Sequence, residues 1–294
     1  MNRLAQFPAR LRGPFKVIVL TTLAVFIAAC ADRPSPDASG VRSNEPPYPV
    51  LMTDSADRKE AALADWTKIA GEQGLPNSPA PDLQLITSTI RRLPAGTILQ
   101  MPKLGSGPTL SEEEVRDALR RFIARTSDLL GAEPQQLSLV QRTDLADGTK
   151  QAHYEQRPFR YPLRGDFGKL DVTFTSDRRI LQVVSTCIPD VELLQRAAVG
   201  IRPRWTADKV QTRVLGRAFT YKDPAGVPQT LSIGKSDSIT IRELVIYPTP
   251  RIDNATVLEF HLCWEISVGP DPGAQLIYLD AVTDELVAVR DTPK

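Results

Sequence analysis

The chain has 294 residues, 36 of them lysine or arginine and 35 aspartate or glutamate, so its formal charge is +1 with both histidines neutral. A balance this even excludes the electrostatic grip on phosphate backbones that nucleic-acid-binding proteins use. With 41% hydrophobic residues, the length suffices for one large or two small domains with proper cores.

In chain order, the cations Arg3, Arg10, Arg12 and Lys16 precede the thirteen-residue apolar run Val17–Ala29, and Cys30 follows. This is the layout of a secretory signal, and the run is well short of the roughly 20 residues that a membrane-spanning helix needs. Ile27-Ala28-Ala29-Cys30 looks like the lipobox of bacterial lipoproteins. That resemblance implies removal of residues 1–29 and acylation of Cys30, with the mature protein held on a lipid bilayer of the cell envelope. An ordinary cleaved signal with an incidental cysteine is the alternative. Ala31 after the cysteine leans toward the outer membrane, facing the periplasm. Cleavage removes four cations and no acid, which takes the formal charge from +1 to −3.

Residues 30–49, rich in proline, serine and charge, lack apolar periodicity and are expected to be a disordered tether. Residues 50–108 form an N-terminal extension of uncertain organisation. Ser55 is placed to cap a short helix with Ala61, Leu63, Trp66 and Ile69 as its apolar set, ended by Gly74. "LQLITSTI" and "TILQM", either side of Pro94-Ala95-Gly96, suggest short strands.

Residues 109–192 carry a clearer pattern. Ser111 and Glu114 form a capping box, and Val115, Leu119, Phe122, Ile123, Leu129 and Leu130 recur at helical spacing until Gly131. The period then changes to two through "LSLVQR", "TKQAHYEQR", "KLDVTFT" and "RILQVVSTC", with turns at Asp147-Gly148 and Ser176-Asp177. The spacing predicts one helix followed by four antiparallel strands.

Residues 200–294 repeat that plan. A helix opens at Thr206 with Val210, Val214, Leu215, Ala218 and Phe219 on one face, and strands follow at "IRELVIYP", "TVLEFHLCWEISV", "AQLIYLD" and "ELVAV". In the second strand Leu258, Phe260, Leu262, Trp264, Ile266 and Val268 alternate with Glu259, His261, Cys263, Glu265 and Ser267. One face is core, and the other is wet or covered by a partner. The expected fold class is therefore α+β, with two successive helix-on-antiparallel-sheet units.

Cys187 and Cys263 remain as an even pair in an oxidising compartment, and a disulfide between the two units is expected, with two free thiols as the alternative.

The order of elements resembles a known tandem. "SEEEVRDALRRFIARTSDLLG", "TKQAHYEQRPFRYPLRGDFGKLDVTF", "DRRILQVVS" and "IPDV" are similar to the FTP domain of fungalysin and thermolysin-like metalloprotease propeptides. "LVIYP", "LCWEISV" and "IYLDAVTDELVAV" are similar to the PepSY domain that follows it there. Asp280, Ala281 and Thr283 match that family's D-A-x-T-G turn, and Asp284 stands where glycine is usual. The resemblance implies a module that inhibits or chaperones a protease or another client polypeptide, with Glu259, His261 and Glu265 on the surface offered to the partner.

The metalloproteases themselves carry H-E-x-x-H, two imidazoles one turn apart that hold zinc. That motif does not occur in this sequence, and His153 and His261 fall on separate predicted strands. The expectation is therefore no enzyme activity, no cofactor and no metal. Arg164-Gly165-Asp166 is better explained by chance than by adhesion, and "LGSGP" at residues 104–108 lacks the flanking strand and helix of a nucleotide loop. A structural envelope lipoprotein with fixed assembly partners, or a remnant of a metalloprotease precursor, are the competing readings.

Overall fold

The computed structural model describes residues 47–103, 111–157, 160–223, 226–270 and 274–291. The signal, Cys30, the tether up to residue 46 and the "LGSGP" segment lie outside them. Residues 46–294 belong to one unit, a mixed α+β fold built on antiparallel sheets.

The elements are β1 (Val50–Thr53), α1 (Ala56–Glu72), β2 (Asp82–Leu83), β3 (Ile90–Arg92), β4 (Leu99–Gln100), α2 (Glu112–Arg125) and α3 (Ser127–Leu130). Four longer strands follow: β5 (Leu137–Asp144), β6 (Lys150–Gln156), β7 (Lys169–Phe174) and β8 (Arg179–Ser185). Then come α4 (Val191–Val199), α5 (Ala207–Val214), β9 (Ala218–Lys222), β10 (Pro228–Ser232), β11 (Ile239–Pro250), β12 (Val257–Val268), β13 (Gln275–Asp280) and β14 (Leu286–Asp291).

The capping box forms as its spacing requires. Ser111 Oγ accepts from the Glu114 amide at 3.3 Å, and Glu114 accepts from the Ser111 amide at 2.8 Å. Three glutamates in the first turn favour the positive end of the helix dipole. Val115, Ala118, Leu119, Phe122 and Ile123 bury their stripe against Leu170, Val172 and Phe174 of the first sheet, whose strand order is β4-β8-β7-β6-β5. Gly131 takes the left-handed conformation, φ 70°, at the end of α3, where a Cβ would lie 2.5 Å from Thr89 Cγ2. Only glycine fits there.

The extension is shared between the two sheets. Helix α1 contributes Ala62, Trp66, Ile69 and Ala70 to the first core, and β4 pairs with β8 as a fifth strand. Strand β1 instead pairs with β12 of the second sheet, Val50 opposite Phe260. These strands are two to four residues long, too short for alternation to announce them.

In the second sheet β12 is central. β11 lines one edge of it from Leu258 to Val268. β1 and β13 lie end to end along the other edge, opposite 257–260 and 263–268, and β14 flanks β13. The helix expected from Thr206 to Phe219 is shorter: it ends at Val214, with Leu215 as cap and Gly216 at φ 78°. Ala218 and Phe219 belong to the β9–β10 hairpin, although Phe219 still packs with Val210 and Val214. Helix α4 runs across the boundary between the two expected units, where no helix was expected.

The expected disulfide is not formed, and this corrects the reading of Cys187 and Cys263. Both are free and buried, Cys187 in the core under α2 and Cys263 in a separate cluster with Val245, Tyr247, Leu276 and Tyr278. Even cysteine number is no guide when the side chains enter different cores.

Candidate functional site

The polar row of β12 is where a partner surface was expected, and the fold covers most of it. Cys263 is fully buried and Glu265 is 3% exposed. The cover is the loop between β6 and β7. Leu163 makes a parallel bridge with Ile246, flanked by an Arg164 N–H to Ile246 C=O bond of 3.0 Å and an Ile246 N–H to Pro162 C=O bond of 2.8 Å. Its next three residues form a clamp. Arg164 donates through Nε to Glu265 at 2.8 Å and through Nη2 to Glu243 at 2.6 Å. Glu243 and Glu265 stand directly opposite each other on β11 and β12, a like-charge pair that would repel without the guanidinium. The Tyr278 hydroxyl donates to Glu265 at 3.2 Å, and Arg242 adds a cation at 3.7 Å. Gly165 lies against the Tyr247 ring, where a Cβ would come within 3.1 Å of it. Asp166 pairs with Arg290 at 2.7 Å, and Arg290 also donates to the Tyr247 hydroxyl at 3.1 Å. Arg164-Gly165-Asp166 is thus an internal fastening, and Glu265 faces this loop rather than a partner, contrary to the expectation from alternation alone.

His261 sits at the junction of β1 and β13. Its Nδ1 lies 2.8 Å from Asp280 Oδ2 and its Nε2 3.3 Å from Glu259 Oε2. Tyr48, two residues before β1, donates to the same Asp280 oxygen at 2.7 Å and accepts from the Leu262 amide at 2.9 Å. The other Asp280 oxygen accepts the Val282 and Thr283 amides, both at 2.8 Å, which fixes the following turn. Burial opposes charge on both His261 and Asp280. The bonds to Asp280 and Glu259 outweigh it and hold the imidazole above its ordinary value, and those from His261 and Tyr48 hold Asp280 below its own. Asp284, at the usual glycine position, keeps a left-handed φ of 68° and receives Arg213 at 2.6 Å and Arg217 at 3.3 Å.

With both ring nitrogens engaged by carboxylates, His261 has no free lone pair to act as a base or metal ligand. Burial pushes the Cys263 thiol well above its ordinary value and Cys187 up to about 12, which makes both poor nucleophiles. His153 pairs through Nδ1 with Asp171 at 2.8 Å on the first sheet, away from His261. Among the described residues no group of three histidine, cysteine or acidic side chains is placed to hold a metal ion.

A different feature carries the open surface. Among the described residues β5 is an edge strand, paired only with β6, and it bulges between Leu139 and Gln141. Leu139 and Val140 are 39% and 47% exposed. Between β5 and α2 runs a cleft of about 310 Å³, floored by Val115, Leu119, Leu139, Ala152 and Tyr154. Its rim holds Arg116 and the ion pair Glu112–Arg142. Glu112, Val115, Arg116 and Leu119 come from one stripe of α2, so helical spacing builds one wall and strand alternation the other. Tyr154 is 7% exposed and lines this cleft, and its hydroxyl is not among the buried polar atoms left without a partner, which are Arg58 Nε, Trp205 Nε1 and Trp264 Nε1 among the described residues. Burial pushes the pKa of Tyr154 up to about 12, against the pull of nearby Arg116.

Sequence reasoning missed Arg164, Tyr48, Asp280 as a partner of His261, and Tyr154. Only Asp280 carried a local signal, its place in the D-A-x-T turn. No protein-family model matches the chain, and no curated protein matches it. Among solved structures it is similar to the "Bacillus megaterium YpeB C-terminal domain", with 10% identity and a TM-score of 0.34 over 83% of this chain and 100% of that one.

Proposed function

We propose that the mature chain is a non-catalytic cell-envelope lipoprotein, anchored by acylated Cys30, that binds a protease or an unfolded client polypeptide in the manner of an inhibitory or chaperoning propeptide. In this reading the two sheets are an FTP-like unit followed by a PepSY-like unit. The observation that carries it is the β5 edge, unpaired among the described residues and with Leu139 and Val140 exposed, because such an edge offers main-chain hydrogen bonds to an extended segment of another protein. The occupied nitrogens of His261 and the buried thiols support the non-catalytic half.

The test uses full-length protein purified in detergent and immobilised. A thermolysin-like catalytic domain and reduced, carboxymethylated α-lactalbumin are passed over it. Retention of either, with no cleavage of a fluorogenic peptide library by the lipoprotein itself, is the expected result. Retention of neither overturns the binding role. Cys30→Ser should abolish incorporation of a fatty-acid analogue in cells, and unchanged labelling would refute the anchor.

A further inference from the structure

We propose that the surface around Arg202, Arg204 and Lys209 rests on the anionic headgroups of the bilayer that holds the lipid anchor, so that the globule is seated on the membrane by this face. This rests on the lipoprotein reading above and adds the contact surface and the chemistry of its partner.

Charge is the first observation. Residues 201–217 carry five cations, Arg202, Arg204, Lys209, Arg213 and Arg217, against one acid, Asp208, although the chain from residue 30 onward has a formal charge of −3. Asp284 holds Arg213 and Arg217. Arg202, Arg204 and Lys209 are exposed and make no ion pair among the described residues. Trp205 gathers the group: the guanidiniums of Arg204 and Arg213 lie over its ring at 5.1 and 4.5 Å, and Lys209 shares a stripe of α5 with Arg213 one turn on. Val199, three residues before Arg202 and 63% exposed, adds an apolar side chain. An indole with cations and an exposed aliphatic residue around it suits the boundary between headgroups and acyl chains.

The second observation is where the chain from the anchor reaches the globule. Tyr48 bonds to Asp280 at 2.7 Å, and the next residue, Ala281, accepts the Arg204 amide at 2.7 Å. Ile201 packs on the same core as Tyr48, and α4 lies beside β1. The chain from Cys30 therefore enters the globule at the rim of the basic surface. Tyr48 is 18 residues on from Cys30, a reach of at most about 65 Å. Anchoring at that range gives this face a high effective concentration at the bilayer, so a modest intrinsic affinity suffices to seat it. Each cation close to an anionic bilayer strengthens partition about five-fold.

The test uses residues 46–294, which hold every described element in one unit, so that acyl chains cannot carry the binding. Cosedimentation is measured with vesicles of phosphatidylcholine alone and of phosphatidylcholine mixed with an equal amount of phosphatidylglycerol. The anionic vesicles are expected to bind at least about ten-fold more tightly, and high salt to remove the difference. Arg202→Gln, Arg204→Gln and Lys209→Gln each weaken that binding about five-fold, and about 100-fold together. Arg202→Lys with Arg204→Lys keeps the charge and retains it. Arg92→Gln, Arg120→Gln and Arg125→Gln together remove the same charge from β3 and α2 and change binding by less than about two-fold, because those cations stay beyond the screening length. Equal binding to both vesicles, or single and triple variants no weaker than this control, refutes the seated face and leaves the anchor to the Cys30→Ser labelling. If the triple variant keeps its vesicle binding and instead loses the protease domain or unfolded α-lactalbumin, the face belongs to a polypeptide and the proposal falls.

Discussion

Arg164→Met tests whether the β6–β7 loop holds the two sheets together. The substitution keeps the aliphatic stem and removes the guanidinium, leaving Glu265 with a side chain only 5% exposed and its nearest remaining cation, Arg242, 3.7 Å away. Removing one partner of a buried ion pair costs about 3–5 kcal/mol. Here Arg164 is itself 31% exposed, and Arg242 and Tyr278 still reach Glu265, so about 2–3 kcal/mol is expected. For a unit of this size that lowers Tm by roughly 5–10 °C. Urea denaturation followed by the fluorescence of Trp66, Trp205 and Trp264 measures it. The decisive variant is the double one: Glu265→Gln removes the orphaned charge, so Arg164→Met with Glu265→Gln should lose at least ~1 kcal/mol less than the sum of the singles. Strict additivity, or a loss below ~0.5 kcal/mol for Arg164→Met, would show that the loop merely lies on the sheet and does not fasten it.

The His261 cluster makes stability pH-dependent. The raised imidazole contributes fully below its unfolded value of about 6.5 and loses that contribution as pH rises through its folded value. Asp280, held low, contributes above about 3.9 and loses as pH falls through its folded value. The gap in urea stability between wild type and His261→Gln, about 2 kcal/mol for lost charged hydrogen bonds, should be widest from about pH 4 to 6.5 and close toward alkaline pH; a gap that grows toward pH 9 refutes the assignment. Iodoacetamide should modify neither Cys187 nor Cys263 in the native protein and both after unfolding without reductant, as read by intact mass; failure to alkylate them when unfolded would restore the disulfide. Gly131→Ala, forced to a left-handed φ of 70° and against Thr89, should cost about 2 kcal/mol by the same urea assay, and a neutral result would mean that the α3 terminus relaxes.

The elements with strong local codes were legible in the sequence. Ser111 and Glu114 fixed the start of α2, its apolar stripe chose the buried face, and Asp147-Gly148 marked the β5–β6 hairpin, because each acts within a few residues of chain. The mixed α+β class followed from the change of period from helical to alternating. Tertiary structure decided what becomes of each exposed-looking face. Alternation along β12 separates Glu259, His261 and Glu265 from Leu258 and Phe260, but it cannot reveal that a loop a hundred residues earlier carries Arg164 onto Glu265. Nor can it reveal that Tyr48 reaches Asp280 across 232 positions. The same holds for Cys187 and Cys263, whose count suggested a bridge and whose burial in separate cores rules it out. Tyr154 is of this kind too: the sequence places it on a buried strand face, and only the packing of α2 makes it a wall of the cleft beside β5.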